Sequence, residues 1–93
     1  MARYVVEMFG LPYEIAKRRE VEVKVEDGAR LGDIIAALRR EIPALEGSII
    51  RPGEDRLVER YMFNINGRFY FDNEEPKLKD GDHLRLLTLA TAG

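Results

Sequence analysis

The sequence contains no cysteine and only one histidine, and these two scarcities exclude several kinds of chemistry. Without a thiol the chain can form no disulfide, no thiolate nucleophile, no zinc–thiolate site and no cysteine-ligated iron–sulfur cluster. A Ser-His-acid arrangement would depend on His83 alone, which stands at the start of a predicted strand and is interpreted as an ordinary polar strand residue. The acidic side chains lack the spacing of a metal-binding loop. We therefore predict no catalytic residue, no metal site and no cofactor.

Long apolar runs and an excess of one charge are also missing. No stretch approaches the roughly 20 apolar residues of a membrane helix, and the first residues lack a signal-peptide core, so we expect a cytoplasmic protein without a membrane partner. Fifteen basic and 17 acidic side chains leave a net charge of −2, which gives no electrostatic reason to expect nucleic acid. With 45% hydrophobic and 34% charged residues, we predict one globular domain over 1–93.

Short alternating runs of apolar residues predict strands. These runs lie at 3–9, 20–25, 61–65, 68–71 and 83–89. The strictest alternation is in 20–25, where three valines face one way and Glu22 and Lys24 the other, as in a sheet with one covered face. Asn66-Gly67 is a hairpin signal between the third strand and its short partner.

Between residues 31 and 42 the apolar period changes to that of a helix. Leu31, Ile34, Ile35 and Leu38 recur at spacings of three and four, which places them on one face, and Pro43 ends the helix. Residues 48–58 are predicted to form a small excursion closed by a Pro-Gly turn.

This order of elements predicts an α+β fold. One helix can cover only one face of a sheet, so we expect a ubiquitin-like β-grasp with a mixed sheet of four to five strands and one main helix across one face. The first and last strands should lie side by side in the middle. The residues expected to point inward are Tyr4, Val6, Met8, Val21, Val23, Val25, Leu84 and Leu86.

The last predicted strand passes directly into a tail of small residues, 90–93, which ends on glycine. This tail carries no bulky and no charged side chain. We interpret it as a flexible segment that enters a narrow slot in another protein; the alternative is an ordinary frayed end.

Four segments of the chain resemble the ubiquitin-like β-grasp sulfur-carrier family, MoaD/ThiS-like, which includes the small subunit of molybdopterin synthase and the thiamine-pathway sulfur carrier. The resembling segments are a first strand ending in Phe9-Gly10, a helix opening at 31–38, the hairpin at 64–68, and the turn at 78–84 that leads to the last strand and a Gly-terminated tail. The loop at 48–60 also resembles that of some prokaryotic members. The family usually ends in Gly-Gly, whereas this chain ends in Ala92-Gly93.

The resemblance implies a carrier without catalytic activity of its own. A separate ATP-dependent adenylating enzyme would convert the Gly93 carboxylate to an acyl-adenylate, and a sulfur donor would convert that to a thiocarboxylate. Ala92 and Gly93 are then the site of activation. The thiocarboxylate would supply sulfur for a molybdopterin- or tungstopterin-type cofactor within a complex containing a large synthase-type subunit.

Such a carrier needs a docking surface, which we expect on the sheet face away from the helix. The residues predicted to form it are Val5, Phe9, Met62, Arg85, Leu87 and Leu89, since apolar side chains on a solvated face indicate a protein partner. The alternative is that some of them complete a minor core under the 48–60 loop.

Two other functions stay open. The chain could be a β-grasp docking module that has lost its carrier role, which Ala92 in place of glycine favours. It could also be a ubiquitin-like modifier that becomes attached through Gly93 to lysines. An RNA-associated module is disfavoured by the acidic balance.

Overall fold

The computed structural model describes residues 1–88, and Leu89 to Gly93 lie outside the described part. Within residues 1–88, five strands and two helices follow one another. They are β1 (Ala2–Met8), α1 (Leu11–Ala16), β2 (Glu20–Val25), α2 (Leu31–Glu41), β3 (Tyr61–Ile65), β4 (Phe69–Phe71) and β5 (His83–Thr88), with a single 3₁₀ turn at Pro43–Leu45 after α2.

The strands form one mixed sheet in the order β2-β1-β5-β3-β4. β1 and β5 run parallel, and the other neighbouring pairs are antiparallel. The predicted pairing of the first and last strands is therefore confirmed, and so is the β-grasp architecture. Its consequence for function is that β5, which leads to the carboxyl end, lies in the interior of the sheet.

The core lies between α2 and one face of this sheet. All eight side chains predicted to point inward are buried, and they pack with Leu31, Ile34, Ile35 and Leu38 of the helix. The loop after α2 adds Ile49, Ile50 and Leu57 to the same core. That loop contains the predicted Pro-Gly turn, in which the Glu54 N–H donates to the Arg51 carbonyl. Outward-facing residues on the opposite sheet face are thus free of any role in the main core.

The segment between β4 and β5 covers the amino-terminal end of α2. The first N–H groups of a helix have no partner within it, and here Leu31 donates to the Pro76 carbonyl at 2.8 Å and Gly32 to the Glu74 carbonyl at 3.0 Å. The Asp33 carboxylate accepts a third bond, from the Arg30 N–H at 2.9 Å. The two bonds to Pro76 and Glu74 fix α2 against the segment between β4 and β5, which we call the strap.

Gly32→Ala is expected to destabilise the protein, although alanine is the better helix former. A Cβ at position 32 would lie 2.8 Å from the Glu74 Cβ and 3.4 Å from its carbonyl oxygen, so helix and strap must separate. We expect a loss of about 1–2 kcal/mol, as for other overpacked sites, measured by urea unfolding. In a Glu74→Gly background, where the opposing Cβ is gone, the same change should cost much less. An equal loss in both backgrounds would show that the contact is not the cause.

α1 was not predicted, because Gly10-Leu11-Pro12 indicated only an end to the first strand. The same proline lies in the first turn of α1, where its missing N–H costs nothing and its fixed φ favours a helix. Ile15 and Ala16 of this short helix pack against the core. Its exposed side carries Leu11 and Tyr13, 42% and 43% exposed.

A candidate docking face beside the carboxyl-terminal strand

The outer face of the sheet is divided into rows that cross the strands. Since neighbouring strands lie about 4.8 Å apart, outward residues at the same register form contiguous rows. One row is apolar: Met62 of β3 stands opposite Leu87 of β5. On the other side of Leu87, the parallel register of Met8 with Leu86 continues to Phe9, whose N–H donates to the Leu86 carbonyl at 3.1 Å. We call Phe9, Leu87 and Met62 the apolar row.

The apolar row is accessible. Phe9 is 43% exposed and Leu87 and Met62 are half-buried, and none of the three belongs to the buried core. This arrangement does not support the alternative that these residues complete a minor core under the 48–60 loop, whose buried side chains join the main core instead. Leu87, in the middle of the row, directly precedes Thr88, the last described residue. The row is therefore adjacent to the point where the chain continues toward Gly93.

A polar row lies beside the apolar one. Glu7 of β1, Arg85 of β5 and Asn64 of β3 stand at one register. Arg85 Nε lies 3.7 Å from Glu7 Oε1, and His83 Nε2 contacts the same oxygen. Asn64 is the one buried polar residue of the described chain, and its Oδ1 accepts a bond from the Gly67 N–H at 2.8 Å. His83 thus has a partner within the sheet, in keeping with its interpretation as a polar strand residue.

The structure therefore separates the six predicted docking residues. Leu87 stands between Phe9 on one side and Met62 on the other, and Arg85 lies in the neighbouring polar row. Val5 lies further along β1, between His83 and Glu22, and is separated from the apolar row by Glu7 and Arg85. Leu89 lies outside the described residues, as do Ala92 and Gly93.

One contributor to this face was missed from the sequence. Tyr13 of α1, 43% exposed, lines a hollow of about 380 Å³ together with Phe9, Gly10, Glu7 and Arg19. The hollow extends the apolar row past β1 and offers room for a side chain of a partner. The sequence carries one weak signal for this helix, the proline in its first turn.

Within residues 1–88 no group of three or more histidine, cysteine, aspartate or glutamate side chains is arranged to hold a metal ion. Neither helix in this part of the chain is long and apolar enough to cross a membrane.

Residues 6–93 match the family model described as the ThiS family. The chain therefore belongs to the ThiS family of ubiquitin-like β-grasp sulfur carriers, which are small non-catalytic proteins. No curated protein sequence matches it at a significant level.

Solved structures of archaeal proteins have the same fold. SAMP1 from Haloferax volcanii is 26% identical, with a TM-score of 0.83 over 98% of this chain and 99% of that one. The small archaeal modifier protein 1 from Methanosarcina acetivorans is also 26% identical, with a TM-score of 0.77 over 100% and 98%. A putative molybdopterin converting factor, subunit 1, from Pyrococcus furiosus is 22% identical, with a TM-score of 0.75 over 95% and 98%, and shows the fold alone.

Proposed function

We propose that the carboxylate of Gly93 is activated by an ATP-dependent adenylating enzyme, converted to a thiocarboxylate, and used to supply sulfur for a molybdopterin- or tungstopterin-type cofactor. The observation that carries this proposal is the position of the apolar row. An accessible apolar surface on the outer face of β5 lies directly before the small-residue segment that leads to Gly93.

Conversion of the Gly93 carboxylate to a thiocarboxylate takes two steps, both catalysed by partner enzymes. A carboxylate oxygen of Gly93 attacks the α-phosphate of ATP, and pyrophosphate leaves to give the acyl-adenylate. A hydrosulfide equivalent then attacks the acyl carbon, AMP leaves as the C–O bond breaks, and one proton is released with the thiocarboxylate. The chain contributes a carboxylate on a residue without a side chain, so that enzyme walls can close around it.

The length of the tail suits this task. Gly93 is the fifth residue after Thr88, and at about 3.3 Å per residue this segment spans at most about 17 Å. A partner can therefore hold the apolar row and reach Gly93 in a cleft at that distance. Ala92 adds one methyl group beside the reacting residue, compared with the Gly-Gly end usual in the family.

The docking surface we propose consists of the apolar row with Arg85 and Leu89, extended by Tyr13, and it excludes Val5, which the strand register places two rows away. Phe9, Leu87 and Met62 supply apolar contact area in its centre, and Arg85 with Glu7 provides a charged border. This is the usual composition of a protein interface, with an apolar centre and a polar rim. The adenylating enzyme and the large synthase-type subunit are proposed to use the same surface in turn.

We propose the pterin destination because the hairpin after β3 and the long loop after α2 resemble those of the molybdopterin-synthase branch. The test is to incubate the thiocarboxylated protein with a large synthase subunit and the pterin precursor. Formation of sulfur-containing pterin, with return of Gly93 to the carboxylate, supports this destination. Absence of sulfur transfer to the pterin with a verified active large subunit excludes it.

A second destination is favoured by the 26% identity to two archaeal modifier proteins over nearly the whole chain. In that case a lysine amine of another protein attacks the activated acyl carbon, and an isopeptide bond to Gly93 forms. Tryptic peptides with a branched lysine bearing the carboxyl-terminal residues of this chain would identify it. Both destinations share the adenylation of Gly93.

A further inference from the structure

The two edges of the sheet differ in how they are protected. Exposed edge strands invite pairing with another chain, and charged side chains on the edge normally prevent it. On β2, the edge beside β1, the exposed positions are Glu20, Glu22 and Lys24. On β4, the opposite edge, all three residues are aromatic and uncharged, and Phe69 and Tyr70 are each 56% exposed.

The backbone of β4 presents hydrogen-bonding groups to solvent at Tyr70. The Asn66 N–H, just after β3, donates to the His83 carbonyl at 2.8 Å. Counting back from Asn66 into β3, every second residue, including Asn64, therefore directs its backbone groups toward β5. The residues between them direct theirs toward β4, where they face Phe69 and Phe71. Tyr70 stands opposite Asn64, and by the alternation of antiparallel ladders its N–H and C=O point away from the sheet.

The residues around Tyr70 are complementary to themselves in the reverse direction. They read Arg68-Phe69-Tyr70-Phe71-Asp72. If a second copy of β4 pairs antiparallel about Tyr70, Phe69 stands opposite Phe71, and Arg68 stands opposite Asp72, twice by symmetry. Within residues 1–88 the structure records no ion pair for either charged residue, and both are exposed.

We propose that β4 is a self-association edge, through which two copies of this chain pair antiparallel about Tyr70 to form a continuous ten-stranded sheet. The two Tyr70 residues exchange two backbone hydrogen bonds, the aromatic rings pack across the junction, and two Arg68–Asp72 pairs close its ends. A second copy is favoured over an unrelated strand because opposite charges at both ends arise from one sequence paired with itself.

This pairing leaves the docking face open. A two-fold axis perpendicular to the sheet places the outer faces of both copies on the same side. The two β5 strands are separated by five strand spacings, about 24 Å, and point in opposite directions. Each apolar row is therefore accessible in the dimer, so the inference does not depend on the proposed function.

The dimer should be weak. Specific, stable interfaces bury roughly 1,200–2,000 Å², and an edge of five residues with two exposed aromatic side chains per copy buries less. We therefore expect a dissociation constant between about 10 µM and about 1 mM. At low concentration the protein is expected to be a monomer.

Charge reversal provides the test. Arg68→Asp places two aspartates opposite each other at both ends of the junction, and Asp72→Arg places two arginines there. Each variant alone should dimerise at least about tenfold more weakly than the unmodified chain. An equimolar mixture of the two should associate as a heterodimer, and the double variant should recover homodimerisation, because both restore opposite charges. Sedimentation equilibrium from about 10 µM to about 1 mM measures the association of the two single variants, their mixture and the double variant.

All these changes are on exposed side chains, and circular dichroism checks that each variant is folded. Unmodified protein that stays monomeric at about 1 mM overturns the proposal. Dimerisation of both single variants as strong as that of the unmodified chain also overturns it, and so does failure of the mixture to associate. Concentration-dependent shifts of the Phe69 to Phe71 amide resonances would support the assigned edge, and shifts confined to β2 would contradict it.

Discussion

Removal of Gly93 is expected to abolish activation of the carboxyl terminus. The new terminus is Ala92. Its carboxylate reaches about 3.3 Å less far than the Gly93 carboxylate of the full chain, and the residue carries a methyl group that glycine lacks. Misplacement of a reacting group by about 1 Å can cost about a hundredfold, so ATP–pyrophosphate exchange with the cognate adenylating enzyme should fall at least that far.

The shortened chain should still bind the adenylating enzyme nearly as well as the full chain, because the apolar row and the fold are untouched. Unchanged binding with lost exchange assigns the defect to chemistry. If the full chain supports no exchange and removal of Gly93 changes nothing measurable in the function of the complex, the chain is a docking module rather than a carrier.

Leu87→Asp is expected to weaken partner binding by roughly 30- to 150-fold. The change removes a leucine from the centre of the apolar row, worth about 2–3 kcal/mol when it is buried by a partner, and it adds a carboxylate that must be desolvated. Because Leu87 lies outside the buried core, the loss of folding stability should be small. Calorimetric titration with the adenylating enzyme and urea unfolding measure the two effects separately.

Val5→Asp is the matched control, since it makes the same kind of change on the same face of the neighbouring strand. Val5 lies between His83 and Glu22, away from the apolar row, so we expect a threefold or smaller effect on binding. Equal losses from both variants would extend the interface across the whole face. Unchanged binding of a folded Leu87→Asp protein would exclude the apolar row as the docking site.

The sheet and its main helix could be predicted because their signals are local. The alternation in 20–25 and the helical spacing from Leu31 to Leu38 each state which side is covered, and both are confirmed by burial. The positions of the first and last strands could also be inferred, because their continuous apolar character suits the middle of a sheet. The turns at Pro52-Gly53 and Asn66-Gly67 follow from the backbone conformations these residues favour.

The arrangement of the outer face could not be predicted, because it depends on register between strands that are distant in sequence. Phe9 and Leu87 adjoin only because β1 and β5 pair with Met8 opposite Leu86. Val5 has the same polarity and the same outward direction, yet the register places it two rows away. The contact of Glu74 with Gly32 is likewise non-local.

Tyr13 was missed for a different reason. A proline after a strand predicts an interruption, and six residues are too few for helical periodicity to be evident. Whether such a proline ends one element or begins another depends on the packing of Ile15 and Ala16 on the core, which the sequence alone does not state.

Intact mass of the protein after incubation with its adenylating enzyme, ATP and sulfide tests the central claim most directly. We predict one oxygen replaced by sulfur, located by fragmentation at Gly93 and absent when ATP is omitted. A mass unchanged by an enzyme that is active on a known carrier, or sulfur located at any other residue, would contradict the account.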